Sequence, residues 1–142
     1  MQHVEASQWL PYTPETIYDC LTDPDSLARV VKRIDQISVI DREGDRGRVA
    51  VVLDLPARKV VETTGQVSGV PHQQLSFRTD EPFPLEFSWK FTPERDGTQV
   101  TAALGVDLSR YGIPMAGILV RSIISSELKD DLGRLHDLLA AG

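Results

Sequence analysis

The chain has 142 residues, 41% hydrophobic and 25% charged, with a formal net charge of −6; this excludes disorder, a collagen-like repeat and a disulfide scaffold, and suits one domain, residues 1–142, with a real core. Its 21 acidic side chains outnumber its 15 basic ones, which repels phosphate backbones and anionic lipid heads, so no nucleic-acid partner is expected. Cys20 is the only cysteine, which excludes an internal disulfide and fits a reducing, cytoplasmic location.

Met1 runs directly into the polar-alternating Gln2-His3-Val4-Glu5, with no basic stretch followed by an apolar one, so no signal peptide is expected. A first strand covers about His3 to Leu10 and ends at Pro11. Two short helices follow, each announced by a capping oxygen before proline: Thr13-Pro14-Glu15-Thr16 and Asp23-Pro24-Asp25-Ser26. Proline at the first helical position sacrifices no hydrogen bond, and the preceding side-chain oxygen accepts from the free amides of the first turn. Ile17 and Leu21 share a face of the first helix; Leu27, Val30 and Val31 serve the second.

From Ile34 to about Ser109 the hydrophobic period is two, and turn clusters such as Arg42-Glu43-Gly44-Asp45-Arg46-Gly47 and Pro93-Glu94-Arg95-Asp96-Gly97 divide the stretch into six more strands. Connections this short make neighbouring strands antiparallel. Alternation then selects the inner face: Val49, Val51, Leu53 and Leu55 on the third strand, Leu75 and Phe77 on the fifth, Leu85, Phe87, Trp89 and Phe91 on the sixth, and Val100, Ala102, Leu104, Val106 and Leu108 on the seventh. On the fourth strand Val61, Thr63, Gly65 and Val67 are taken as inward, which makes Thr63 a lone polar group inside. Trp9 falls on the parity opposite to Val4, Ala6 and Leu10.

Helical spacing returns from about Pro114 to Ala140, where Leu128, Leu132, Leu135 and Leu139 recur at four, three and four. Ile113 to Val120 is the longest apolar run and is stopped by Arg121, short of the ~20 residues a membrane span needs, so no membrane insertion is expected. Glu127, Lys129, Asp130, Asp131 and Arg134 are read as a solvated face. A long helix with an apolar stripe needs an apolar sheet to lie on, and a seven-stranded sheet with native twist curls around it. The fold class is therefore α+β: a helix-grip, with a curved antiparallel seven-stranded sheet around a long C-terminal helix and two short helices between strands 1 and 2.

This element order, together with the stretch from Pro11 to Asp25 (Pro-Glu before an apolar helix, Leu-Thr-Asp-Pro-Asp at its end), resembles the SRPBCC or START-like superfamily, including its polyketide cyclase/dehydrase and lipid-transport group. The resemblance covers the whole chain and implies an internal cavity for a small hydrophobic ligand. Two stretches depart from family patterns. Leu27-Ala28-Arg29-Val30-Val31 stands where members often carry a bulky aromatic, and Gly44-Asp45-Arg46-Gly47 is a poor match to the glycine-rich loop of the plant-allergen branch.

Chemical constellations are sparse. His3, His72 and His136 share no metal-ligand spacing, so neither a metal nor another cofactor is expected. The Gly44 to Gly47 stretch lacks a Gly-Lys-Ser/Thr ending and reads as a hairpin turn. Glu62, Glu86 and Asp107 fall mostly on the solvent parity, so no catalytic residue is assigned. The ligand-lining set is Thr63, Phe77, Phe87, Trp89, Phe91, Leu104 and Val106 from the strands, Arg110 and Tyr111 as a polar pair for a carboxylate or hydroxyl head, and Leu119 and Ile123 from the long helix. Three functions stay open: binding, transport or sequestration of a lipid, isoprenoid, quinone or polyketide-like molecule; a polyketide aromatase/cyclase; and a chaperone-cofactor or interaction module. The oligomeric state is not legible here.

Overall fold

The computed structural model describes residues 2–55, 59–107 and 117–142. In chain order the elements are β1 (Gln2–Leu10), α1 (Pro14–Leu21), α2 (Pro24–Val30), β2 (Ile34–Glu43), β3 (Arg46–Leu55), β4 (Lys59–Val70), β5 (Gln74–Thr79), β6 (Leu85–Glu94), β7 (Gly97–Val106) and α3 (Gly117–Ala141). The strands form one sheet in the order β1-β7-β6-β5-β4-β3-β2, antiparallel throughout. This is the helix-grip architecture: a curved sheet, a long C-terminal helix, and two short helices between the first two strands.

The cap of α1 is as its sequence suggests, with Thr13 Oγ1 accepting the Thr16 N–H at 3.1 Å. At α2 the expectation is corrected. Asp23 caps no backbone amide there; its Oδ2 instead accepts the Ser26 hydroxyl at 2.8 Å. The β6–β7 turn places Arg95 and Asp96 at φ 49° and 61°, a left-handed pair whose twist matches that of a two-residue hairpin.

Strand parity follows the hydrophobic pattern. Val49, Val51, Leu53 and Leu55 are buried, as are Val61, Leu75, Leu85, Trp89, Phe91, Val100, Ala102 and Val106, while Glu62, Glu86 and Lys90 are exposed. Trp9 lies on the outer face, donating its indole N–H to the Glu94 carbonyl at 2.7 Å beneath the Arg95 guanidinium. On α3, Leu128, Leu132 and Leu135 are buried. The solvated face assigned to this helix is corrected at two positions: Asp131 is only 5% exposed, and Glu127 is half-buried in an ion pair with Arg33. Asp131 lies three residues after Leu128 and four before Leu135, so helix geometry turns it to the same side as the apolar stripe.

Tyr18 ties α1 to the far end of the sheet. Its hydroxyl donates to Asp45 Oδ1 in the β2–β3 turn at 2.7 Å, and burial together with that carboxylate pushes its pKa up to about 12. Gly69 permits the approach, because a Cβ there would collide with the Tyr18 hydroxyl. Tyr18→Phe deletes one hydrogen bond to a charged group and is expected to cost about 1.5–3 kcal/mol, read as a lower urea midpoint at unchanged slope.

Candidate functional site

Six inter-strand gaps of about 4.8 Å make a seven-stranded sheet ~29 Å wide, whereas a helix with its side chains is ~10–12 Å across. One helix cannot cover such a face. Here α3 packs mainly against β1, β7 and α2, which leaves space between it and the inner side of β3 to β5. That space is a cavity of about 300 Å³, at the lower end of the volumes that hold small ligands.

The core is divided by the cavity. One cluster gathers Leu10, Ile17, Trp89, Phe91 and Leu132; the other gathers Val49, Val51, Leu53, Phe83 and Leu85. Ile34, Val67, Phe87, Leu104 and Ile124 pack against both clusters and line the space between them. Phe77 and Phe87 face inward yet stay half-buried, because open volume instead of side chains lies before them. Gly65 shapes this wall: a Cβ there would strike the Phe77 ring. A smaller recess of about 70 Å³ under the β2–β3 turn shares Leu27, Ile37, Val67 and Leu75 with the main cavity.

Of the residues chosen from sequence, Phe77, Phe87, Trp89, Leu104, Val106 and Ile123 line the cavity. The Phe87 and Trp89 rings form one aromatic panel, centroids 5.3 Å apart, and Ile123 is exposed. Thr63 and Phe91 are not cavity residues, and both assignments are corrected. Thr63 spends its hydroxyl on Thr79 Oγ1 at 3.0 Å and on the Glu81 carbonyl. Phe91 lies farther along β6, buried edge-on to Tyr18 at 6.2 Å. Arg110 and Tyr111 lie outside the described residues, as does the side chain of Leu119.

Sequence reasoning missed the cavity's polar corner, where Arg33, Glu127 and Asp131 join the lining. Arg33 Nε donates to Glu127 Oε2 at 3.2 Å, Nη2 donates to Oε1, and Nη1 donates to the Asp54 carbonyl at 3.1 Å. Glu127 holds the Arg33 guanidinium charged, its pKa raised above the ordinary arginine value. Asp131 Oδ1 accepts the Lys32 N–H at 3.4 Å and an N–H from Arg134, whose Nε donates to the Val30 carbonyl at 2.8 Å. Burial pushes the Asp131 carboxyl up to about 6, against the opposing pull of Arg134. The available signal was positional: a carboxylate on the leucine side of α3 is a buried charge, and buried charges need partners.

Cys20 is half-buried and its thiol is raised by that burial, the reverse of an activated nucleophile. Among the described residues no group of three or more His, Cys, Asp or Glu side chains is placed to hold a metal ion, and no helix is long and apolar enough to cross a membrane.

The family model described as polyketide cyclase/dehydrase and lipid transport matches residues 1–140. No curated protein matches the chain. Among solved structures, the chain is similar to TTHA0849 from Thermus thermophilus at 26% identity and a TM-score of 0.78, over 99% of this chain and 98% of that one. A START superfamily protein from Mycobacterium smegmatis superposes at a TM-score of 0.79 and 15% identity, covering 98% and 97% of the two chains. The Zhui aromatase/cyclase from a Streptomyces species superposes at 0.70 and 14% identity, covering 98% and 93%.

Proposed function

Because the chain belongs to the polyketide cyclase/dehydrase and lipid transport family, we propose that it binds a small, largely apolar molecule, such as a lipid, isoprenoid, quinone or polyketide-like compound, inside the cavity between α3 and the sheet. The observation that carries this reading is an apolar-walled space of about 300 Å³ fronted by Phe77, Phe87 and Trp89. Desolvation drives the binding. Burying ~300 Å² of ligand apolar surface at ~25 cal/mol/Å² contributes ~7 kcal/mol, which sets a limit of roughly 10 μM on affinity from desolvation alone, and ordering costs weaken it from there.

Trp89 lines the cavity and Trp9 lies on the outer face, so the two indoles separate inside from outside. On titration with 1-decanol, which does not fluoresce, Trp9→Phe is expected to keep a saturable shift in emission, and Trp89→Phe to lose it while its circular dichroism stays native. No saturable shift in Trp9→Phe would count against the cavity as the binding place. Native mass spectrometry of freshly purified protein, searching for a co-purified small molecule, addresses the ligand's identity.

A second reading, an enzyme of the aromatase/cyclase type, is favoured by one observation: Asp131, titrating near 6, is on the cavity wall, and such chemistry needs an acid or base with a pKa close to the working pH. Turnover of a poly-β-keto analogue that disappears in Asp131→Asn would establish it; binding without turnover would leave the first reading alone. An interaction module calls for a cavity collapsed onto its own side chains, and the open volume speaks for a ligand.

A further inference from the structure

Arg33 at the head of β2 and Glu127 and Asp131, one turn apart on α3, are the charged side chains of the cavity wall among the described residues. Their hydrogen bonds are unevenly spent. The Arg33 fork is engaged by both Glu127 oxygens, with Nη1 on the Asp54 carbonyl, which uses three of a guanidinium's five N–H groups. Both hydrogen bonds to Asp131, from Lys32 N–H and from Arg134, are accepted by Oδ1. Among the described residues Oδ2 takes none; it keeps contact with accessible space in a residue that is only 5% exposed and lines the cavity.

Resting on the reading of the cavity as a ligand site, we propose that this corner is its head-group site and that it selects an apolar molecule bearing a neutral hydroxyl, alcoholic or phenolic, over the carboxylate of the same body. A hydroxyl donates to Asp131 Oδ2 and still has lone pairs for the spare N–H groups of Arg33. A carboxylate only accepts: it meets Asp131 and Glu127 as like charges, and the guanidinium beside them is already paired. An ammonium donates to Oδ2 too, but it meets Arg33 as a like charge, and because Glu127 and Asp131 are already paired with Arg33 and Arg134, little offsets its desolvation. A head with no polar atom displaces water from that oxygen and supplies no partner in its place.

Any apolar cavity disfavours a carboxylate to some degree, so the decisive comparison is between variants. Calorimetric titration at about pH 7.5, where Asp131 is ionised, would use naphthalene, 2-naphthol, 2-naphthoate and 2-(aminomethyl)naphthalene. The wild type is expected to bind 2-naphthol about tenfold or more tightly than each of the others. Asp131→Asn keeps an oxygen for the Lys32 N–H and removes one negative charge from the wall; it is expected to bring 2-naphthoate to within about threefold of 2-naphthol. Glu127→Gln, on a half-exposed side chain, is expected to act in the same direction and decides the matter if Asp131→Asn fails to fold. A naphthol-to-naphthoate ratio unchanged by the substitution overturns the proposal, as does tightest binding of the carboxylate or the amine. Naphthalene bound as tightly as 2-naphthol overturns the head-group site and leaves the cavity reading standing. No binding of any of the four overturns both.

Discussion

Leu132→Ala is expected to lower the unfolding free energy by about 2–5 kcal/mol, a large part of the roughly 5–15 kcal/mol that holds a domain of this kind together. Leu132 is 0% exposed and belongs to the same core cluster as Leu10, Ile17, Trp89 and Leu135. Truncation strips the branched end of the side chain from one side of the cluster and leaves a void that close-packed neighbours fill only in part. The position matters because α3 is the element that closes the sheet, through β1 and β7. Chemical denaturation monitored by circular dichroism measures the effect. An unchanged midpoint would mean that the helix is not packed on the sheet as described. The control is Leu139→Ala: Leu139 is half-buried, so a clearly smaller loss is expected there.

What could be read in the sequence is what local geometry dictates. Period-two alternation placed Leu85, Phe87, Trp89 and Phe91 on one face without reference to anything distant, and Thr13 before Pro14 announced a cap that only the next turn has to complete. Distance along the strand was not legible. Phe87, Trp89 and Phe91 share a parity, yet Phe91 lies beside Tyr18 while the other two front the cavity; the outcome depends on where α1 and α3 lie across the sheet. Thr63 was rightly turned inward, but the Thr79 hydroxyl and the Glu81 carbonyl that satisfy it come from another strand and a loop. Asp131 was read by residue type as solvated when its place beside Leu128 and Leu135 said otherwise. Arg33 carries no local signal, because its partners Glu127 and Asp54 are set by how α3 and the end of β3 meet the head of β2.

The pH dependence of stability is expected to carry the signature of Asp131. Its carboxyl is raised from 3.8 to about 6 in the folded chain, chiefly by burial, with Glu127 adding to the rise and Arg134 and the Lys32 N–H opposing it. Below about pH 4 both folded and unfolded chains hold the proton; between about 4 and 6 the folded chain keeps a proton that the unfolded chain has released, so stability from this group falls as pH rises through that window. At about 1.4 kcal/mol per pKa unit, the loss by neutral pH is on the order of 3 kcal/mol. Asparagine imitates the protonated form. Asp131→Asn is therefore expected to be more stable than the wild type by up to about 3 kcal/mol near pH 7.5 and nearly equal to it near pH 4. Paired urea titrations at the two pH values isolate the group, because carboxylates remote from it, such as Asp41 held low by Arg48, titrate alike in both proteins. A variant less stable at pH 7.5, or a difference that does not change with pH, would refute the assignment. Were the gain found, the wild-type chain would be carrying an ionised carboxylate at a cost to its own folding, at a point on the wall of a cavity that is otherwise almost wholly apolar. Stability lost at a site where a hydroxyl-bearing ligand finds its acceptor is the trade-off expected of a binding residue, and the substitution that strengthens the empty protein should be the one that blunts its choice between 2-naphthol and 2-naphthoate.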